Sequence, residues 1–129
     1  RIDMGYRSQV VLAISKELVP FLLLATSKNK ETEELVFKYG NLERNYENDK
    51  SWLMVWDSIK WYEGYPDIDA IERFMVDAES GEWEITDDDG NEVHSEELFR
   101  FARVGEECGD VEVRGSGYWD ITPVTSIQY

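Results

Sequence analysis

The aromatic run SWLMVWDSIKWY, residues 51–62, restricts the fold most, because it is apolar and contains no Gly or Pro to interrupt regular structure. It predicts a strand over 52–56 that ends in a bend at Asp57 and Ser58. Side chains alternate along a strand, which gives this one two apolar faces, Trp52, Met54 and Trp56 on one and Leu53 and Val55 on the other. Such a strand fits the interior of a sheet that is covered on both sides. The alternative is an aromatic surface left open for a partner and formed by Trp52, Trp56, Trp61 and Tyr62.

Patterns before this run predict one strand and two helices. The β-branched, apolar density at 6–15 predicts a first strand. Ser15 can cap the helix that follows it. The segment 31–40 predicts a second helix, which Thr32 caps and Gly40 ends, although its LVFKY portion also fits a strand.

Patterns on either side of the run complete the set of elements. Polar residues at 41–50 indicate turns, and 65–78 predict the clearest helix, with an apolar stripe of Ile68, Ile71, Phe74 and Met75. Residues 82–85 fit a short strand followed by a turn. Residues 98–115 predict two strands joined near Glu107 to Gly109, and 118–129 predict a last strand in which Pro123 implies an edge or a bulge.

This order, close to β-α-β-α-β-β-β, predicts a small single α+β domain with an antiparallel sheet and about two helices packed on one face. We expect the domain to cover residues 4–129, with Met4 as the natural start and residues 1–3 as an expression remnant. No stretch reaches the roughly 18–20 apolar residues of a membrane helix. The single cysteine, Cys108, cannot form an internal disulfide, which fits a reducing cytoplasm.

The whole net charge of −15 arises in one part of the chain. Residues 63–112 contain 18 acidic residues against Arg73, Arg100 and Arg103, whereas the rest of the chain holds 10 acidic and 10 basic residues. Such a field repels nucleic acid, anionic lipid and acidic substrates, and it attracts basic surfaces. We therefore expect no direct binding to nucleic acid or to membranes.

The sequence offers little for catalysis or for metal binding. Residues 87–92, DDDGNE, have the composition of a calcium loop, but Gly90 falls at the fourth place, where an EF-hand needs glycine at the sixth. One His and one Cys cannot make a zinc site. His94 lies among glutamates, and the carboxylates around Cys108 disfavour its thiolate. We expect no cofactor, no metal and no enzyme activity.

The acidic residues predict a recognition surface instead. Phosphates along duplex DNA carry about one charge per 1.7 Å of axis, counting both strands. Rows of carboxylates on a folded surface can present a similar field to the basic groove of a nucleic-acid-binding protein. The candidate partner-binding residues are Glu82, Glu84, Asp87, Asp88, Asp89, Glu92, Glu96, Glu97, Glu106, Glu107, Asp110 and Glu112.

Three separated motifs carry a resemblance that spans most of the chain. MGYRSQVVLAIS, WDSIKWYEGYPDIDAI and FRFARVGEE followed by DVEV together resemble a family of small acidic proteins of bacteriophages and prophages. The resemblance implies a phage product that acts in a bacterial cytoplasm, similar to inhibitors of host defence such as antirestriction and anti-CRISPR proteins. It implies no catalytic residue, and the insert ESGEWEITDDDGNEVHSEE is the part that it supports least.

These observations predict a non-enzymatic inhibitor that binds a basic, nucleic-acid-binding host protein or nucleoprotein complex through an acidic, nucleic-acid-mimicking face. The alternative is an interaction or assembly protein, including a homodimer, that uses the Trp-rich strand. An enzyme or a small-ligand binder ranks third.

Overall fold

Five antiparallel strands form the central sheet, in the order β2-β3-β1-β4-β5. The computed structural model describes residues 5–123 and 126–129. The strands are β1 (Ser8–Ile14), β2 (Asn41–Tyr46), β3 (Ser51–Ile59), β4 (Phe99–Val104) and β5 (Val111–Arg114). The predicted start at Met4, the three residues before it, and residues 124–125 of the predicted last strand lie outside the described residues.

Three α-helices pack on one face of this sheet, namely α1 (Val19–Thr26), α2 (Lys30–Glu34) and α3 (Pro66–Ser80). A 3-10 turn, Lys16–Leu18, leads into α1, and a π-helical turn, Leu35–Tyr39, continues α2. The predicted α+β class with an antiparallel sheet is confirmed, with three helices where about two were expected.

The main core lies between the sheet and the helices. Leu12, Met54, Trp56 and Phe101 project from the sheet and are buried against side chains of all three helical segments, including Leu22, Leu35, Ile71 and Met75. Burial of these large apolar side chains is the dominant stabilising term, at about 25 cal/mol per Å² of apolar surface removed from water.

The opposite face of the sheet is covered by the C-terminal segment. Two very short strands, β6 (Thr122–Pro123) and β7 (Ile127–Gln128), pair with each other in this segment. Its apolar residues form a second core with the outward face of the sheet, and they are Trp119, Ile121 and Ile127. Strand β3 is therefore covered on both faces, as its two apolar faces predicted.

Helix α3 follows the rules that its sequence indicated. Pro66 lies in the first turn, where its missing N–H costs nothing, and Asp67 and Asp69 lie at the positive end of the helix dipole. Gly81 ends the helix in the left-handed conformation, with φ of 71°. The four residues predicted as its apolar stripe are all buried.

Several predicted boundaries were wrong. Residues 41–46 form the edge strand β2 rather than turns, and β3 runs as far as Ile59 rather than ending at Trp56. The predicted bend at Asp57 and Ser58 coincides with a register shift in the pairing of β3 with β1. Asn29, not Thr32, caps α2: its side chain accepts a hydrogen bond of 2.8 Å from the backbone N–H of Thr32. The LVFKY portion is helical, which confirms the predicted helix there over its strand alternative.

The region after α3 also differs from its prediction. Residues 82–85 form no strand, and the only pairing near them in the described part of the chain is an isolated bridge between Thr86 and Glu92. The predicted last strand is instead the short β6–β7 hairpin, in which Pro123 lies in an edge strand.

Candidate functional site

Residues 82–97, here called the acidic segment, connect α3 to β4 and contain eight carboxylates with no Lys or Arg. These eight are Glu82, Glu84, Asp87, Asp88, Asp89, Glu92, Glu96 and Glu97. All eight were predicted as partner-binding residues, and the structure brings them together in one continuous surface segment. Six of them are exposed, and Asp87 and Glu96 are half-buried.

Apolar side chains fasten the start of the acidic segment to the helices. The Trp83 ring stacks on Phe21 of α1, with centroids 4.2 Å apart and planes 17° from parallel, and lies 5.7 Å from the ring of Phe74. Ile85 is buried in the main core. Glu82 and Glu84, which flank Trp83, remain exposed to solvent.

The far end of the segment is held by hydrogen bonds to α3 and to itself. The hydroxyl of Ser95, which is fully buried, donates to the backbone carbonyl of Ala78 at 2.6 Å. A short 3-10 turn, Ser95–Leu98, then leads into β4, and the exposed His94 caps it by accepting the Glu96 N–H on Nδ1 at 3.1 Å. The segment is thus anchored at both ends.

The tip of the segment is a turn that Asp87 organises. Its Oδ1 accepts the backbone N–H groups of Asp89 and Asn91, each at 2.9 Å, and Gly90 takes a φ of 83° that suits glycine. These donors, the Asn91 N–H first, lower the pKa of Asp87. The peptide backbone therefore stabilises this negative charge without a neighbouring cation.

Ion pairs with the acidic segment are rare among the residues that the structure describes. Among the described residues, Lys16 is the one cation that forms an ion pair with it, through Asp88. Ser116 also donates a hydrogen bond to the carboxylate of Glu96. Most of the negative charge of the segment is thus left for solvent or for a partner.

The other predicted acidic residues lie in a different environment, at the β4–β5 turn. Arg103 contacts both oxygens of Asp110, at 2.7 and 3.1 Å, and its Nε donates to Glu112 at 3.3 Å. The Tyr6 hydroxyl also donates to Asp110, at 2.6 Å. Arg103 first and Tyr6 second lower the pKa of Asp110 to about 2.

The remaining arginines near β4 and β5 are also engaged within the protein. Arg114 donates to Glu72 at 2.7 Å and to Glu79 at 2.6 Å, which ties β5 to α3. Arg100 donates to the backbone carbonyls of Gly115 and Ile121 and so holds the C-terminal segment against β4.

The twelve predicted acidic residues therefore do not form one face. The acidic segment precedes β4, whereas Glu106, Glu107, Asp110 and Glu112 follow it, and the six residues of β4 span about 20 Å. Asp110 and Glu112 are engaged by Arg103, so their charges are partly neutralised within the protein, and their role as partner contacts stays a prediction. Glu106 and Glu107 are exposed at the turn, and their role stays a prediction.

The four residues of the predicted aromatic surface also differ in their exposure, since one is buried and three are half-buried. Trp56 is 3% exposed and its Nε1 donates to the Leu35 carbonyl at 2.9 Å, so its prediction as a partner contact is wrong. Trp52 is half-buried beneath the Arg44 guanidinium, 5.1 Å from its ring centroid. Trp61 lies between Trp56 and Phe101 in the same half-buried state. Tyr62 is half-buried, and its hydroxyl accepts the Tyr6 N–H.

Among residues 5–123 and 126–129, no group of three or more His, Cys, Asp or Glu side chains is placed to hold a metal ion. In the part of the chain that the structure describes, no helix is both long and apolar enough to span a bilayer. No protein-family model, curated protein or solved structure gives a significant match to the chain. The resemblance to phage and prophage proteins stays a prediction.

Proposed function

We propose that this protein is a non-enzymatic inhibitor that binds a basic, nucleic-acid-binding protein and occupies its nucleic-acid groove with the acidic segment. The observation that carries the proposal is the anchored run of eight carboxylates with a single described ion-pair partner, Lys16. A partner that has evolved to neutralise phosphates presents the lysines and arginines that such a surface lacks.

The rigidity of the acidic segment supports the proposal. A loop that must be ordered on binding loses affinity to the conformational entropy of ordering. Here the Trp83 stack, the buried Ile85 and the Asp87 turn hold the segment in place before any partner arrives. Binding is then favoured mainly by the release of counterions from the partner's groove. Added salt makes this release less favourable, so the affinity is expected to fall steeply as the salt concentration rises.

The proposed setting follows the resemblance to phage and prophage proteins. The protein would act in the cytoplasm of a bacterial host, and its partner would be a nucleic-acid-binding component of host defence. The proposal requires no cofactor and no direct contact between this protein and nucleic acid.

The test is capture of partners from bacterial lysate on the immobilised protein, followed by affinity measurement on the captured partner. The test variant carries Asp88→Asn, Asp89→Asn and Glu92→Gln, three exposed positions that leave the Asp87 turn intact. The matched control carries Glu31→Gln, Glu33→Gln and Glu43→Gln, which are exposed residues of α2 and β2 and give the same change in net charge.

We expect a basic nucleic-acid-binding protein that leaves the resin at high salt. Three lost charge pairs, each worth about 0.5–1 kcal/mol, predict an affinity about 10- to 100-fold lower for the test variant. The control variant should bind nearly as the wild type does. Equal binding by all three proteins would contradict the proposal. So would a captured partner that resists high salt.

A further inference from the structure

A cleft of about 880 Å³ opens at the other end of α3 from the acidic segment. It lies between the first three turns of α3 and the β4–β5 hairpin. Its apolar lining includes Trp61, Ile68 and Val76. Trp61 forms the inner wall, because its ring also packs against Trp56 and Phe101 of the core.

The charged groups that line the cleft are mostly acidic. Five carboxylates and two guanidinium groups line it: Glu63, Asp69, Glu72, Asp110 and Glu112, with Arg73 and Arg103. Both arginines are already engaged, Arg103 by Asp110 and Glu112, and Arg73 by Asp77. Glu72 accepts from both Arg114 and the Trp61 indole.

Two exposed carboxylates remain without a cation. Neither Glu63 nor Asp69 forms an ion pair with any residue that the structure describes. They are held near each other because Asp69 Oδ1 accepts the Gly64 N–H at 2.8 Å. Gly64 has a φ of 95°, which favours glycine, so this short loop is bent back towards α3.

We propose that this cleft receives an arginine side chain from an extended, basic segment of the partner protein. The guanidinium would pair with Glu63 and Asp69, and the aliphatic stem and guanidinium plane would lie along the half-buried Trp61. A guanidinium is favoured over an ammonium because it stacks on aromatic rings and presents a fork of donors to carboxylates. The excess negative charge excludes a phosphate or carboxylate ligand. This inference rests on the proposed function, since it specifies how the same basic partner would be held at a second point.

The direct test is an NMR titration with a short neutral-flanked peptide, acetyl-Gly-Gly-Arg-Gly-Gly-amide. The Trp61 indole N–H is a local reporter because it donates to Glu72 at 3.0 Å inside the cleft. We expect its signal to shift with the arginine peptide, to shift less with the lysine peptide, and to stay in place with the uncharged citrulline peptide. Equal shifts with arginine and citrulline would overturn the inference.

Paired variants separate this inference from the proposed function. Glu63→Gln with Asp69→Asn keeps the Gly64 hydrogen bond and should weaken peptide binding at least about tenfold, since two charge-assisted contacts are lost. Asp88→Asn with Asp89→Asn should bind the peptide as the wild type does. If the cleft variant binds both peptide and captured partner normally, the cleft inference is wrong while the proposed function stands. If the acidic-segment variant binds the partner as tightly as the wild type does while the cleft variant does not, the acidic segment is not the binding surface and the proposed function is wrong.

Discussion

The acidic segment and the β4–β5 hairpin are neighbours in the chain, and each spans sixteen residues, 82–97 and 99–114. The first contains eight carboxylates and no arginine. The second contains four carboxylates and three arginines, Arg100, Arg103 and Arg114. In the segment, backbone N–H groups stabilise the charge of Asp87, whereas in the hairpin the Arg103 guanidinium stabilises those of Asp110 and Glu112.

This difference shows that net charge alone does not locate an interaction surface. Arg103 pairs with two carboxylates and Arg114 with three, and Glu112 is shared by both arginines, so these acidic partners help to hold the fold together. The negative field of the protein therefore arises chiefly from carboxylates that no arginine reaches. The comparison predicts that charge removal will weaken stability in the hairpin and partner binding in the segment.

The largest expected effect on stability is that of Arg114→Met. The Arg114 side chain is 14% exposed, and its loss leaves Glu72 and Glu79 partly buried without their cation. We expect the free energy of unfolding to fall by about 2–3 kcal/mol, somewhat below the cost of breaking a fully buried pair, because both glutamates are partly solvated. Urea unfolding at neutral pH measures this.

Arg73→Met is the matched control, since it removes the same side chain from the exposed side of α3. Arg73 is 66% exposed in an i,i+4 pair with Asp77, and its loss should cost less than about 0.5 kcal/mol. Similar costs for the two variants would mean that the Arg114 contacts are no stronger than a surface pair. That result would contradict the expectation that the ion pairs of the hairpin arginines stabilise the fold.

Most of the fold can be predicted from local sequence patterns. The wrong predictions for β2 and β3 concern segments whose structure depends on pairing with another strand. Strand β1, β4, β5 and helix α3 are long or periodic enough to be predicted. Strand β2 was missed because NLERNY carries polar residues on both faces, and it is a strand only because β3 pairs with it. The bend predicted at Asp57 and Ser58 coincides with a register shift in the pairing of β3 with β1, and the strand continues past it because pairing resumes at Ser8 and Ile59.

The acidic composition of the candidate site could be predicted from the sequence. Which of its carboxylates are paired with arginines could not. The density of acidic residues at 82–97 is visible in the sequence, and so is the apolar alternation of Trp83 and Ile85 that anchors it. The contacts of Arg114 with Glu72 and Glu79 join residues 42 and 35 positions apart. Neither periodicity nor charge counts specify such pairs, because they depend on how α3 lies across the sheet.

A second prediction concerns the anchor of the acidic segment. Trp83→Ala removes the stack on Phe21 and the contact with Phe74. Trp83 is only half-buried, so we expect the free energy of unfolding to fall by about 2 kcal/mol. Removal of a fully buried tryptophan would cost roughly 3–5 kcal/mol. Amide hydrogen exchange should accelerate most across 84–93, beyond the factor of about 30 by which a loss of about 2 kcal/mol in global stability speeds the slowest amides of β4 and β5. Uniform acceleration over the whole chain would instead mean that Trp83 stabilises the fold globally and does not specifically order the segment.

The smallest effect is the pH dependence that Asp110 gives to the hairpin. The pKa of Asp110 is lowered from 3.8 to about 2, so its ion pair contributes fully above about pH 4 and is lost as the pH falls towards 2. Because Arg103 is the largest cause and Tyr6 the second, Arg103→Met should raise the pKa of Asp110 more than Tyr6→Phe does. Carboxyl carbon NMR titrations of the three proteins measure this order. The pKa of Asp87 should stay low in both variants, since its donors are the backbone N–H groups of Asn91 and Asp89. A parallel rise at Asp87 would show that the two regions are coupled, and the reverse order at Asp110 would show that the tyrosine, not the arginine, holds the β4–β5 turn to β1.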